Sequence, residues 1–213
     1  MKMIDNRGIA AVGLATLLVC LTIVLGVASY MILKHSDERK YEVFAQNARN
    51  FATKVASYRD GRIKYYKEIY LIDIVSDNYI KPYKNPFNGG GNCDLYESNV
   101  ITVSGSERYV TLKCGDYIIE NQRVSSNNYK VYKISPWQTT IPNSLEMESI
   151  KLYNYQKNGK VVLDEYVVSR ELVEEYNKNE RKNVKSIDDI DISEATVITK
   201  TFYRSKELVK ENL

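Results

Sequence analysis

The chain is almost without histidine, holding only His35, and it has just three cysteines among 213 residues. That supply is too small for a Cys/His zinc cluster. Neither sign of charge dominates: 30 Lys and Arg stand against 27 Asp and Glu, leaving +3 spread along the sequence. No basic footprint for nucleic acid follows from such a balance, and nothing points to an acidic substrate. No nucleophile, base and orienting group assemble into a catalytic set, so no enzyme activity, metal or cofactor is expected. Proline is scarce, and none falls in the first 80 residues to break or kink a helix there. What is plentiful is tyrosine, with 18 copies interleaved with β-branched residues. That composition favours strands in the later part of the chain.

The N-terminus carries the strongest signal. Residues 1–8 form a short, mildly basic stretch with Lys2 and Arg7 opposed by Asp5. Ile9 to Leu33 then contains no charge. As a helix rising about 1.5 Å per residue, this segment spans roughly 37 Å, enough to cross a hydrocarbon core of about 30 Å with some tilt. A soluble core helix would need a polar face, which the segment lacks. Thr16, Thr22 and Ser29 can return their hydroxyls to helix carbonyls. Small Gly26 and Ala28 would also allow signal peptidase to cut after Ala28, but the apolar run exceeds the usual 7–15 or so residues. Lipidation of Cys20 is disfavoured because Val19 before it is not small and apolar sequence continues beyond; Cys20 reads as a small hydrophobe. The charge flanking the segment weakly favours a cytoplasmic N-terminus. His35 reads as a solvated residue beside the membrane.

Beyond the span, Tyr41, Phe44, Ala48, Phe51, Val55 and Tyr58 recur every three or four residues. That spacing continues the helix with one apolar face, and Gly61 marks its end. A basic leader ending in Gly8, an uncharged helix and an amphipathic continuation together resemble type IV pilins and type II secretion pseudopilins. The resemblance implies prepilin peptidase cleavage between Gly8 and Ile9, methylation of the new terminus, and packing against other pilin-like subunits in the bilayer. A second likeness lies in Tyr79-Ile80-Lys81 and Asn85-Pro86-Phe87, which sit where pseudopilins end a helix near "YLK" and turn at "NP". Together the two likenesses cover roughly residues 1–120. One departure is Gly13, where the family carries glutamate five residues after the cut. That acid pairs with a neighbour's terminus, and an unpaired charge in lipid is costly. Gly13 therefore implies a minor or tip-type subunit, or an anchored domain that does not polymerise.

Cys93 and Cys114 bracket two expected strands, Asn99–Val103 and Arg108–Lys113, with a turn at residues 104–107. The ends of such a hairpin lie close enough for a disulfide, worth about 3 kcal/mol by loop closure, in an oxidising compartment. Residues 89–91, all glycine, read as a turn, since no phosphate-loop Lys-Ser/Thr follows. Further expected elements are a strand over Asn128–Ser135, a hairpin over Ser149–Val168 turning at Asn158-Gly159, and a helix from Arg170 to Asn183 capped by Ser169. A strand over Ala195–Tyr203 and a charged tail complete the chain. Trp137 reads as a core anchor, with an exposed binding residue as the alternative. Asp188, Asp189 and Asp191 read as a solvated turn, and Glu165, Glu171, Glu174 and Glu175 as exposed charges.

The expected fold is α+β: a leader (1–8), a transmembrane helix (9–33), a pilin-like helix with a disulfide-stapled antiparallel sheet (34–124), and a β-rich extension (125–213). A soft boundary falls near Val124, and the sequence leaves open whether the extension is a separate domain or more strands of one sheet. The expected role is a minor pilin or pseudopilin-like part of an envelope filament, secretion or uptake assembly. The alternative is a stand-alone single-pass anchored module that binds something outside the cell. In both, the lipid bilayer is a partner and the C-terminal domain is extracytoplasmic.

Overall fold

The computed structural model describes residues 6–62, 68–88, 90–104, 107–126, 128–163, 165–191, 193 and 195–213; for 6–15, 59–62 and 104 it describes the backbone alone. Two compact units divide the chain between Glu42 and Val43. One helix, α1 (Asn6–Arg62), begins in the first unit and ends in the second. In the first unit its large apolar side chains between Leu17 and Leu33 are 49–70% exposed, so they form no core of their own. By length and composition this helix can cross a membrane. Thr22 Oγ1 donates to the Val19 carbonyl at 2.8 Å, which removes the cost of a bare hydroxyl on an apolar helix.

The second unit starts from the other end of α1. Phe44, Ala45, Ala48, Phe51, Ala52 and Val55 are completely buried there, and Tyr58 nearly so, as the three-and-four spacing predicts. Their partners include a ring contact from Phe44 to Phe87 at 5.3 Å, from Phe51 to Tyr83 at 6.2 Å and from Tyr58 to Tyr79 at 5.2 Å. The Tyr58 hydroxyl donates to Asp77 Oδ2 at 2.6 Å.

The rest of this unit is a curled antiparallel sheet of eight strands. They are β1 (Glu68–Tyr70), β2 (Asn99–Ser104), β3 (Glu107–Cys114), β4 (Tyr117–Arg123), β5 (Val131–Ile134), β6 (Met147–Lys157), β7 (Lys160–Val161) and β8 (Thr196–Lys210). Two short helices, α2 (Leu71–Ser76) and α3 (Ser169–Glu180), interrupt the series. The strand order is β1-β2-β3-β4-β5-β8-β6-β7. The architecture is therefore α+β, with a long helix and one antiparallel sheet. The open question about residues 125–213 is answered by β5, which pairs with β4 through Tyr117↔Lys133 and Ile118↔Tyr132. The extension adds strands to the same sheet.

One strand goes beyond the sequence reading, and three of its expectations need correction. The strand β4 was not anticipated, although Tyr117–Arg123 follows the Gly115 turn closely. The return arm of the second hairpin is interrupted: Lys160–Val161 pairs with β6, and Val167 meets β6 again by exchanging two 2.8 Å backbone bonds with Tyr153; β6 takes β8 as its main partner, over Met147↔Ser205 to Gln156↔Thr196. The side chain of Asn154 fills the gap between the Lys160–Val161 and Val167 contacts. Its Nδ2 donates to the carbonyls of Leu163 and Glu165, replacing a strand with side-chain bonds. The supposed charged tail belongs to β8, whose residues Lys206–Lys210 pair with β5. Finally, Val168 rather than Ser169 precedes α3, and no side chain caps it. The helix stops at Arg181, which adopts a left-handed φ of 53°.

Below α3 a second core gathers Tyr155, Leu172, Tyr176, Ile190 and Ala195, with Tyr155 and Tyr176 edge to face at 5.6 Å.

Candidate binding site

Period-two alternation divides the side chains of β3 between two faces. Val110, Leu112 and Cys114 are buried, while Thr111 and Lys113 point the other way and keep partial exposure. On that second side a cavity of about 480 Å³ opens, within the roughly 300–1,000 Å³ of small-molecule sites. Thr111 of β3, Ile118 and Glu120 of β4 and Arg204 of β8 contribute to its wall. Three aromatic rings, Tyr70, Tyr96 and Trp137, also line it, as do Glu148 to Lys151 of β6 and the entry to α3 at Val168–Arg170.

Arg204 organises the wall. Register sets it directly opposite Glu148, and the pair closes with Nε donating to Glu148 Oε2 at 2.8 Å. Its Nη1 reaches Glu97 Oε2 at 3.2 Å, and the guanidinium lies 4.2 Å from the Trp137 ring centroid. Trp137 is held there because Gln138 and Tyr203 exchange backbone hydrogen bonds of 2.9 and 2.8 Å. Lys206 joins Glu120 to Glu148, the latter at 2.6 Å, and Lys113 bonds Glu97. Burial alone would raise the Glu148 carboxyl, but bonds from Lys206, the contact with Glu120 and the charge of Arg204 hold it below the usual range. Lys206 is raised in turn: burial opposes its charge, and Glu120 and Glu148 outweigh that. At the α3 end, Arg170 pairs with Asp73 and stacks 4.7 Å from the Tyr70 ring. The Tyr70 hydroxyl is pushed up to about 12, first by burial and then by Glu68.

Two polar atoms of cavity-lining residues are closed from solvent and have no hydrogen-bond partner: Asn99 Oδ1 and Trp137 Nε1. Asn99 Nδ2 is satisfied by Glu68 Oε1 at 2.7 Å, so only the acceptor end of that amide is left over. Unsatisfied buried atoms are uncommon and costly, which makes two in one wall informative.

Apart from Trp137, the residues singled out from the sequence lie elsewhere. Gly8, Ile9 and Gly13 belong to the backbone-only part of α1, and residues 1–5 of the leader lie outside the described residues. Cys20 is exposed and unpaired, and His35 is exposed on the same helix. Cys93 and Cys114 form a disulfide. Asn85-Pro86-Phe87 is a turn in which Asn85 Oδ1 accepts from the Phe87 N–H at 2.9 Å, an Asx-turn. It seats the Phe87 ring on Tyr117, with centroids 3.8 Å apart. Asp188, Asp189 and Asp191 are tied into turns: Ser186 Oγ accepts from the Asp188 N–H, Asp189 accepts from the Ser186 N–H, and Asp191 accepts from Ser193. Among the described residues no His, Cys, Asp or Glu group is arranged to hold a metal ion. Gly89 lies outside the described residues.

Two readings are overturned. Trp137 is no core anchor; it keeps partial exposure in the cavity wall. Glu171, Glu174 and Glu175 are partly buried rather than exposed, while Glu165 is exposed. Burial, then Asp94, Glu175, Glu97 and Glu174, pushes the Glu171 carboxyl up to about 7. Sequence reading missed Glu97, Glu148 and Arg204, because their meeting depends on strand register across 107 residues between Glu97 and Arg204. No local pattern in the sequence encodes that meeting. Comparison with protein-family models, curated proteins and solved structures yields no match.

Proposed function

We propose that this chain is a pilin-like or pseudopilin-like subunit, of the minor or tip type, held in a bilayer by its N-terminal helix with its β unit on the outer side. The observation that supports this reading is the division of labour within α1. Thr16–Leu33 is apolar and uncovered, whereas Phe44–Tyr58 of the same helix supplies buried core to a β unit. An exposed apolar helix of this length is stable in lipid and a liability in water. The disulfide fits an oxidising compartment for the second unit. Gly13 in place of an acid fits a subunit with no neighbour to neutralise.

The test is terminal sequencing of the membrane-associated protein from cells that contain a prepilin peptidase. A chain starting at Ile9, with Gly8→Val blocking the cut, supports the subunit reading; a start at Ser29 overturns it. An intact Met1 would favour the second reading, a stand-alone anchored module that binds a ligand outside the cell. The open polar cavity is the observation that keeps this second reading in play.

A further inference from the structure

We propose that the cavity beside Trp137 is a binding site for a neutral saccharide of one or two rings. The inference stands on the β unit alone and does not depend on how the chain is anchored or processed.

The charge arrangement selects against ions. Glu97 is matched by Lys113 and Arg204, Glu120 by Lys206, Glu148 by both Arg204 and Lys206, and Arg170 by Asp73. An ion that met these paired groups would have to break a pair and strand a partly buried charge; the charged lining residue outside them, Lys151, is solvent-exposed, where an ion pair is worth little. A neutral ligand leaves them intact and uses their remaining lone pairs and N–H groups. The uncompensated atoms are one acceptor, Asn99 Oδ1, and one donor, Trp137 Nε1. A hydroxyl group is donor and acceptor at once, so a ligand carrying several of them can satisfy both. Both side chains line the cavity and retain partial exposure. The ring surface of Tyr70, Tyr96 and Trp137 that Arg170 and Arg204 leave uncovered adds flat apolar area for the C–H faces of a sugar. The volume, about 480 Å³, fits one or two rings rather than a long chain.

Trp137 is the sole tryptophan, so its emission reports this site. The full chain in phosphatidylcholine nanodiscs, prepared without sugar-headed detergent, is titrated with glucose, galactose, N-acetylglucosamine, maltose and lactose. At least one of these should change Trp137 emission saturably, with a dissociation constant of about 1 mM or tighter. Asn99→Ala should weaken that response at least about tenfold, and so should Ile150→Phe, which fills the cavity without removing a hydrogen bond. Retained circular dichroism shows that each variant is folded. Lys185→Ala, far along the chain in an exposed loop, should leave the response unchanged. Silence across the panel up to about 50 mM overturns the proposal. So does a response to glucose 6-phosphate, glucuronate or tetra-alanine in place of the neutral sugars, or one that survives both cavity variants.

Discussion

Two side chains show how environment rather than residue type sets behaviour. Arg204 is only 4% exposed and serves Glu97, Glu148 and the Trp137 face together. Replacing it with Met removes the cation but leaves two partly buried carboxylates. Lys113 and Lys206 still serve them, so the expected cost is at the low end for a broken buried pair, about 3 kcal/mol in urea unfolding. Adding Glu97→Gln and Glu148→Gln should recover part of that loss; no recovery would mean that packing under Trp137, not charge, accounts for it. Glu171 behaves in the opposite sense. Its folded pKa of about 7 lies above its ordinary 4.5, so between these values the native state holds the proton more tightly than the unfolded chain. Stability therefore falls as pH rises through that window, and the penalty is fully present above about pH 7. The facing groups Asp94, Glu97, Glu174 and Glu175 all carry the same sign and reinforce it. Glu171→Gln should flatten the fall between pH 5 and pH 8 and raise the melting temperature at the upper end; an unchanged pH profile would exclude Glu171 as its source.

At the level of elements, legibility followed locality. The amphipathic half of α1, the strands β2 and β3, the Asn158-Gly159 turn and the disulfide were all readable, because each depends on spacing within a few residues or on one short hairpin. The main partner of β6 was not, since Asn158-Gly159 advertises a full hairpin while the returning chain pairs only at Lys160–Val161 and Val167. The cavity was invisible for a related reason: its wall comes from strands brought together by register and from Trp137, whose sequence context favours the core over an exposed position. The turn between β3 and β4 offers a direct test of a local rule. Gly115 has φ +62°, and a Cβ there would stand 2.8 Å from Asn85 Nδ2. Asn85 is itself buried and fixed by its bond to the Phe87 N–H, so it cannot simply swing away. Gly115→Ala should cost about 1–2 kcal/mol, from left-handed strain plus displacement of the Asn85 turn. Restoring space with Asn85→Ala in the same chain should not rescue it fully, because the φ penalty remains.

For the β unit as a whole, the decisive feature is that β8 is shared. Residues Thr196–Ser205 pair with β6, and Lys206–Lys210 pair with β5. The last residue, Leu213, offers its carbonyl to Arg49 of α1 at 2.6 Å and to the Tyr129 N–H at 3.2 Å. The final strand thus holds the first five strands, the last three and the buried half of α1 in one network. Such sharing predicts one cooperative transition. Trp137 emission, which reads one wall of the β6–β8 side, and near-ultraviolet tyrosine dichroism, to which ring pairs throughout the unit contribute, should give coincident urea curves. A chain ending at Ser205 loses the β5 pairing, the Lys206 bridge between Glu120 and Glu148 and the Arg49 contact in one step. Its two curves should separate, with Trp137 unfolding at lower urea. Coincident curves in the truncated chain would show that the β4–β5 pairs and the Arg204 network suffice without the terminal strand, and that cooperativity arises from the cavity wall rather than from β8.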